Sequence, residues 1–129
     1  MKKLLPLLAA LMLTACSPSG GTKPNTYRQI TADEAATMMA QETNYIILDV
    51  RRPDEFAAGH IPGAINVANE SIGTVDIPQL PDKDQLIMVY CRSGRRSKEA
   101  SEKLVKLGYT NIVEFGGILD WTGETVTGQ

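Results

Sequence analysis

Cys91 is the residue of this sequence whose setting best suits a nucleophile. It follows the apolar, β-branched run of residues 86–90, which predicts a buried strand, and it precedes residues 98–107, which predict a helix. The short segment between them carries one glycine, two serines and three arginines: Arg92, Ser93, Gly94, Arg95, Arg96 and Ser97. A helix N-terminus and nearby cations both stabilise a thiolate, which is the reactive form of cysteine. The pattern therefore predicts a reactive cysteine that meets an anion.

A buried structural role is the alternative for Cys91, since most free cysteines pack as small apolar side chains. Arginines beside the thiol need solvent or anionic partners, which disfavours that alternative. The carboxyl end of a strand is also where open parallel sheets bind ligands. We therefore interpret Cys91 as functional and residues 92–96 as its anion-binding loop, in which backbone N–H groups and arginines act together. At least one of the three arginines is expected to be an ordinary solvated cation.

The composition limits the chain to one small domain with ordinary globular character. The sequence has 129 residues, a net charge of −2 and 5% aromatic residues, so nothing in it indicates nucleic-acid binding. Positive charge is concentrated beside Cys91, which favours a small anion as the ligand. The two cysteines of the sequence, Cys16 and Cys91, form no Cys-x-x-Cys motif, which argues against a disulfide framework and a cysteine zinc site. No metal and no other cofactor is expected.

Strand-like and helical segments alternate along the chain. A capping box that begins at Thr31 predicts the start of the first helix, and the continuous apolar run at 45–50 predicts a strand buried on both faces. Strands are predicted at residues 45–50, 64–67, 86–90 and 111–115, helices at 32–41, 54–58 and 98–107, and shorter helical turns at 69–72 and 116–121. This alternation predicts an α/β fold in which a small parallel sheet has helices on both faces.

The N-terminal residues predict an export signal. Residues 1–15 combine a basic start with the apolar run 4–13, which is too short to span a bilayer as a mature helix. Leu-Thr-Ala-Cys at 13–16 resembles the lipobox of bacterial lipoproteins, whose signal is cut before the cysteine that then carries the lipid. The resemblance implies a lipid on Cys16 and attachment to a membrane of the cell envelope. An ordinary signal peptide with a chance cysteine is the alternative.

The segment after the signal predicts a tether. Residues 16–26 are small, polar and interrupted by proline and glycine, which is typical of a flexible linker, and the domain is expected at 27–129. In Gram-negative lipoproteins an aspartate after the lipidated cysteine often marks retention at the inner membrane. This chain has Ser17 there, which favours the periplasmic face of the outer membrane.

Several motifs taken together resemble the rhodanese-like domain family. They are DVR at 49–51, EFAAGHIPGAIN at 55–66, CRSGRRS at 91–97, LGY at 107–109 and GGILDW at 116–121. The resemblance extends over residues 27–121 with the motifs in the family's order. It implies a single-domain sulfurtransferase that carries sulfane sulfur as a persulfide on Cys91. It also implies a small anionic sulfur donor such as thiosulfate, and a thiol or cyanide as the acceptor.

The motifs at 49–51 and 55–66, which together form the family's first signature, are interpreted as scaffold, as is Trp121. Arg51 and Glu55 stand where the family has an arginine–acid pair that braces the short helix, so the resemblance implies that they pair with each other. Asp49 at a strand end is expected to hydrogen-bond to local backbone. His60 is the single histidine of the sequence, but its Gly-His-Ile-Pro-Gly setting recurs in the family as a turn, so a structural role is expected. Trp121 is expected to cover the edge of the core.

Two other functions stay open from the sequence alone. Cysteine phosphatases and arsenate reductases use a similar loop, but they typically need Cys-x5-Arg. Here Ser97 occupies that position and the arginine falls one residue earlier, at Arg96. The second alternative is a lipid-tethered module that binds persulfides or thiols with little turnover. The intact Cys91 and its cationic loop disfavour it, and an assay of sulfur transfer against phosphate-ester hydrolysis separates all three functions.

Overall fold

The computed structural model describes residues 26–73 and 76–128. The signal segment predicted at 1–15, the lipid site predicted at Cys16 and nearly all of the predicted linker lie outside the described residues. Within the described part, the predicted α/β fold is confirmed: five strands form one parallel sheet covered by helices on both faces. No helix in this part has the length and apolar character needed to cross a membrane.

The sheet has its cysteine-bearing strand at the centre. The strands are β1 (Arg28–Gln29), β2 (Tyr45–Asp49), β3 (Ile65–Asn66), β4 (Leu86–Cys91) and β5 (Ile112–Gly117). The helices are α1 (Ala32–Gln41), α2 (Pro53–Ala58) and α3 (Arg95–Lys106), with 3₁₀ turns at Asn69–Ser71 and Ile118–Asp120. The strand order is β1–β5–β4–β2–β3 and every pair is parallel. β4 is therefore paired on both sides, and its carboxyl end lies between those of β5 and β2.

The two faces of the sheet pack against different helices. Because side chains alternate along a strand, Val89 and Cys91 point towards α3, whereas Met88 and Tyr90 point towards α1 and α2. The α3 side also contains Leu48, Val50, Ile87, Ala100, Leu104 and Ile112. The other side also contains Ala32, Ala35, Ile47, Phe56, Ile61 and Phe115. Burial on both faces explains why β2 and β4 read as continuous apolar runs.

Local sequence signals account for the starts of helices α1 and α2. The Thr31 hydroxyl accepts from Glu34 N at 3.0 Å, and Glu34 Oε1 accepts from Thr31 N at 2.9 Å, so the predicted capping box is formed. Helix α1 then occupies the predicted residues. Pro53 begins α2, where a missing N–H costs nothing, and Gly59 follows its last residue.

The structure differs from the sequence prediction around the cysteine. Helix α3 begins at Arg95 instead of residue 98, so the loop between β4 and α3 contains three residues, 92–94. Gly94 has φ of +121°, a conformation that side chains disfavour, and this lets the chain turn from strand to helix within so few residues. Strand β1 was not predicted, because two residues carry no periodicity. It pairs with β5 at the edge of the sheet.

Candidate active site

Cys91 is the last residue of β4 and is almost completely buried, with 1% of its surface exposed. The β4–β5 register shifts between Val89 and Cys91, which leaves Cys91 opposite Gly117. Its Sγ accepts a hydrogen bond from Gly94 N at 3.0 Å, so the short loop folds back over the sulfur atom. The thiol therefore lies at the carboxyl end of the central strand and under the N-terminus of α3, as the sequence predicts.

The Ser97 hydroxyl lies beside the thiol and beside a buried carboxylate. Its Oγ is 3.5 Å from Cys91 Sγ and 2.5 Å from Glu114 Oε2. The carbonyl oxygens of Gly94 and Gly116 are also near, at 2.9 and 3.2 Å. A hydroxyl has one proton to donate and accepts through its lone pairs, so these neighbours compete for the Ser97 proton.

Hydrogen bonds favour the thiolate form of Cys91. Burial acts to raise the pKa of the thiol, but the Ser97 hydroxyl and the backbone N–H groups of Ser97, Gly94 and Ser93 stabilise the anion. These donors outweigh burial, so the pKa of Cys91 is lowered from its ordinary value. The predicted role of backbone N–H groups is thus supported at Ser93 and Gly94. These hydrogen-bond donors lower the thiol pKa more than the arginine charges do, whereas the sequence predicts a large effect of the arginines.

The three predicted arginines have different partners. Arg96 lies in the first turn of α3 and places two nitrogens 2.7 and 3.0 Å from the Glu55 carboxylate. Arg95 forms an exposed ion pair with Glu99, one helical turn later, at 3.1 Å. The Arg92 side chain is exposed and makes no hydrogen bond or ion pair with another residue of the described ranges. Arg92 is therefore the loop cation left free to meet a dissolved anion.

The predicted pair of Arg51 with Glu55 is wrong. Arg51 forks onto Asp49, with Nε 3.0 Å from Oδ1 and Nη2 2.7 Å from Oδ2, and Nη2 also donates to the carbonyl of Gly59 at 2.6 Å. Asp49 is the nearer carboxylate because it ends β2 two residues earlier and points into the same buried space. Glu55 forms its ion pair with Arg96 in the first turn of α3, and Arg51 acts on it only through its charge.

Asp49 and His60 of the first signature, and Trp121 of the last motif, make structural contacts. Asp49 Oδ1 accepts from the Arg51 backbone N at 2.9 Å, which is the local backbone bond expected of it. His60 stacks on Phe56 with ring centroids 3.7 Å apart, and its Nδ1 lies 2.8 Å from the Phe56 carbonyl oxygen. Trp121 is half-buried and packs at the edge of the core. No group of three or more histidine, cysteine or acidic side chains in residues 26–73 and 76–128 is arranged to hold a metal ion.

Two residues of β5 belong to the site although the sequence did not identify them. Glu114 has 2% of its surface exposed and accepts from Gly116 N at 2.8 Å as well as contacting Ser97. Gly117 lies so close under the loop that a Cβ there would overlap the Arg92 carbonyl group and the Ser93 nitrogen. The available signals were an acidic residue inside an otherwise apolar strand and the two glycines that follow it.

The fold and the site define a class of protein: a small parallel α/β domain that holds one thiol at a strand end, surrounded by backbone donors. The family model described as "Rhodanese-like domain" matches residues 31–124, and the chain belongs to that family. Over 73 residues, which are 57% of this chain and 70% of the relative, it is 37% identical to a thiosulfate sulfurtransferase of Escherichia coli. It is 32% identical to a sulfurtransferase of Allochromatium vinosum, over 72% of this chain and 86% of that one.

A solved structure agrees with these sequence relatives. A rhodanese with anions from E. coli matches with a TM-score of 0.60 and 34% identity, over 65% of this chain and 99% of that one. The family match and the names of the relatives support a function of the sulfurtransferase kind.

Proposed function

We propose that this domain is a sulfurtransferase that moves sulfane sulfur from thiosulfate, or a similar anionic donor, to a thiol or cyanide acceptor. The observation that carries the proposal is the Cys91 sulfur, buried at the end of β4 with the Gly94 N–H 3.0 Å away and a lowered pKa. A thiolate held by backbone donors is a ready nucleophile, and the same donors suit an anionic persulfide. The names of the relatives support sulfur as the transferred group.

The proposed reaction is a double displacement in which no electron is gained or lost overall. The Cys91 thiolate attacks the outer sulfur of thiosulfate, an S–S bond to Cys91 forms, and the S–S bond of the donor breaks. The bonding pair leaves with sulfite, so one thiolate and one dianion become one persulfide anion and one dianion. Cyanide or a thiolate then attacks the outer sulfur of the persulfide, and Cys91 is regenerated as the thiolate.

The loop residues have separate parts in binding the donor. We assign the donor's oxygens to the exposed Arg92, because a free guanidinium binds oxyanions with charge-assisted hydrogen bonds. Arg95 lies within reach of solvent but shares its charge with Glu99. Arg96 is held by Glu55, so its contribution is to brace the first turn of α3 and to add a long-range positive charge near Cys91.

Phosphate-ester or arsenate chemistry is less well supported. Those enzymes need an arginine that forks onto the oxyanion from the sixth position after the cysteine. Ser97 is there and its hydroxyl is buried beneath the loop, while Arg96 forks onto Glu55. Within the part of the chain that the structure describes, Arg92 is thus the arginine beside Cys91 whose guanidinium has no acidic partner, and its side chain is exposed to solvent.

The decisive experiment uses the full chain with Cys16→Ala, so that Cys91 is its single thiol. Incubation with thiosulfate should add one sulfur atom to the intact mass, and cyanide should remove it as thiocyanate. Cys91→Ser should keep the circular dichroism spectrum and lose both reactions. Sulfur addition without release to cyanide or thiols would favour the binding module, and hydrolysis of a phosphate ester without sulfur transfer would favour the phosphatase.

We further propose that the domain is attached to the cell envelope through a lipid on Cys16, at the periplasmic face of the outer membrane if the host is Gram-negative. The proposal rests on the Leu-Thr-Ala-Cys motif and the apolar run before it. Expression of the full chain in a Gram-negative host should give a lipid-modified protein in the membrane fraction, and Cys16→Ala should give unprocessed or soluble protein. Unmodified, soluble wild-type protein would contradict the proposal.

A further inference from the structure

Glu114 is a buried carboxylate that the sulfur-transfer mechanism above does not use. It lies in β5 with 2% of its surface exposed, and none of the described lysine, arginine or histidine side chains forms an ion pair with it. Its Oε2 accepts from Gly116 N at 2.8 Å, and its Oε1 is 3.5 Å from Gln29 Nε2. Burying an ionised carboxylate without a cationic partner costs free energy. A move of the negative charge from Glu114 to a group with more hydrogen-bond donors would reduce that cost.

The Cys91 sulfur is such a group, and Ser97 connects the two. Sγ is 3.5 Å from Ser97 Oγ, and Ser97 Oγ is 2.5 Å from Glu114 Oε2. All three side chains are at least 98% buried, so bulk water does not separate them. At the sulfur end, the Gly94 N–H donates at 3.0 Å and the N–H groups of Ser93 and Ser97 also stabilise an anion, whereas the carboxylate end has the Gly116 N–H at 2.8 Å and the Gln29 amide at 3.5 Å.

We propose that Cys91, Ser97 and Glu114 form a proton relay in which Glu114 takes the proton that the thiol releases. The Cys91 S–H proton moves to Ser97 Oγ while the Ser97 O–H proton moves to Glu114 Oε2. The S–H bond and the old O–H bond break, new O–H bonds form on Ser97 and Glu114, and the electron pair stays on Sγ. The pair thus carries one negative charge and one proton before and after the step.

In this scheme the two ends share one proton, so the charge on one depends on the charge on the other. After the transfer, the protonated Glu114 donates to Ser97, and the Ser97 hydroxyl donates to the thiolate. The Ser97 proton is then no longer contested between the carboxylate and the sulfur. Glu114 is a positioning residue in this scheme, because it reaches the sulfur through Ser97 and touches neither donor nor acceptor.

Among the described residues, few other titratable groups act on this pair. The Tyr27 phenol lies just before β1. Burial, then the charges of Glu102 and Glu114, raise its pKa, so Tyr27 interacts electrostatically with one end of the relay. Gln29 on β1 is uncharged, and Arg96 on α3 interacts electrostatically with Cys91. Glu102 is exposed on α3 and gives a matched control, since it also acts on Tyr27 but does not contact Ser97.

The test is the pH dependence of iodoacetamide alkylation at Cys91, measured by intact mass on the full chain with Cys16→Ala. If the thiol gives its proton to Glu114, the pair holds the same proton count over a range of pH, and the alkylation rate should level off to a plateau as the pH falls. Without an internal acceptor, the rate should fall about tenfold for each pH unit below the thiol pKa. A profile of this chain without a plateau would by itself refute the relay.

Variants separate the relay from a simple charge effect. Glu114→Gln keeps the shape of the side chain and its hydrogen bond from Gly116, and it should lose the plateau, whereas Glu102→Gln should keep it. A permanently ionised Glu114 would repel the thiolate, so Glu114→Gln would then speed alkylation at every pH below the thiol pKa, and that result would overturn the proposal. If Glu114→Gln fails to fold, Ser97→Ala removes the hydroxyl that joins the two groups and should lower the alkylation rate at the plateau, because the thiolate loses its Ser97 hydrogen bond; an unchanged plateau would overturn the proposal.

The functional meaning of the relay rests on the proposed sulfur transfer, but its test does not. Alkylation requires no sulfur donor or acceptor, so the relay can fail while the chain still accepts sulfur from thiosulfate. Conversely, a chain that keeps the plateau and never gains sulfur would refute the sulfurtransferase proposal and leave the relay standing.

Discussion

The guanidinium of Arg96 faces Glu55 and not the Cys91 thiol, with both nitrogens within 3.0 Å of the carboxylate. Arg96 belongs to the first turn of α3 and Glu55 to α2, so the ion pair joins the two helices that stand at the carboxyl end of the sheet. Because the active-site loop leads directly into α3, this pair also fixes where the loop ends. Arg96 therefore affects the site indirectly, because it holds the start of α3 and the end of the loop in position.

Glu55→Gln should make the fold less stable, and the loss should depend on pH. The hydrogen bond from Arg96, with smaller effects of the Arg52 N–H and the arginine charges, lowers the pKa of Glu55 to about 2 despite partial burial. A carboxyl group with a lowered folded-state pKa stabilises above its unfolded pKa, and this stability is lost as the pH falls through the folded pKa. We expect Glu55→Gln to cost about 1–2 kcal/mol at neutral pH and almost nothing near pH 2, in urea unfolding.

The exposed pair of Arg52 with Asp54 provides a control for that measurement. Its side chains are 63% and 65% exposed, so water screens the pair. Asp54→Asn should change the free energy of unfolding by less than about 0.5 kcal/mol at either pH. Equal losses for Glu55→Gln and Asp54→Asn would show that the Arg96–Glu55 pair is not a special support.

Arg92→Ala should weaken the binding of thiosulfate more than it affects the fold. The Arg92 side chain is exposed and has no side-chain partner among the described residues, whereas Arg95 forms an ion pair with Glu99. A charge-assisted hydrogen bond is worth roughly 1.5–3 kcal/mol, so the apparent KM for thiosulfate should rise roughly ten- to a hundredfold. Arg95→Ala should have a smaller effect. If Arg92→Ala leaves both KM and kcat unchanged, the backbone donors alone bind the donor.

Gly117→Ala should disrupt the active-site loop. A methyl group at Gly117 would overlap the Arg92 carbonyl and the Ser93 nitrogen, which are backbone atoms and cannot rotate away. The loop must shift, at a cost of roughly 1–3 kcal/mol in stability, and the N–H groups that surround Cys91 shift with it. We expect a large loss of sulfur transfer and slower alkylation of Cys91. Gly59→Ala is the control, because its Cβ would meet nothing within 4 Å.

The sequence predicts the strands and helices of the molecule better than it predicts which charged side chains pair with each other. Apolar runs fix β2 and β4 because a strand buried on both faces leaves few other arrangements, and a capping box fixes the start of α1. Cys91 was identified because its arginine-rich setting contrasts with the apolar strand before it. These are local signals, and each is contained within a dozen residues.

The partners of charged residues depend on contacts that are distant in sequence. Arg96 and Glu55 are 41 residues apart, and Ser97 and Glu114 are 17 apart. Which carboxylate an arginine contacts is decided by how the fold brings the starts of α2 and α3 together at the carboxyl end of the sheet, and this explains the wrong pairing of Arg51 with Glu55. The close approach of Gly117 to the Arg92 carbonyl likewise follows from the β4–β5 register shift, which no local sequence pattern predicts.

Ser97→Ala should raise the pKa of Cys91. The Ser97 hydroxyl is the largest of the stabilising contacts that offset burial of the thiol, and a hydrogen bond to a charged group is worth roughly 1.5–3 kcal/mol. Its loss should raise the pKa of the Cys91 thiol, as read from the ultraviolet absorbance of the thiolate during a pH titration. Alkylation and sulfur transfer should then be slower at neutral pH and should approach the rates of the parent chain at high pH.

Ser101→Ala is the matched control for that titration. Ser101 lies one turn further along the same face of α3 and is fully buried, but its hydroxyl has no hydrogen-bond partner among the described residues. Removing it should leave the pKa of Cys91 unchanged, and stability should hold or rise because an unpaired buried hydroxyl is lost. Equal shifts in the two variants would mean that packing of α3 sets the thiol pKa. A shift confined to Ser97→Ala would assign it to the hydrogen bond.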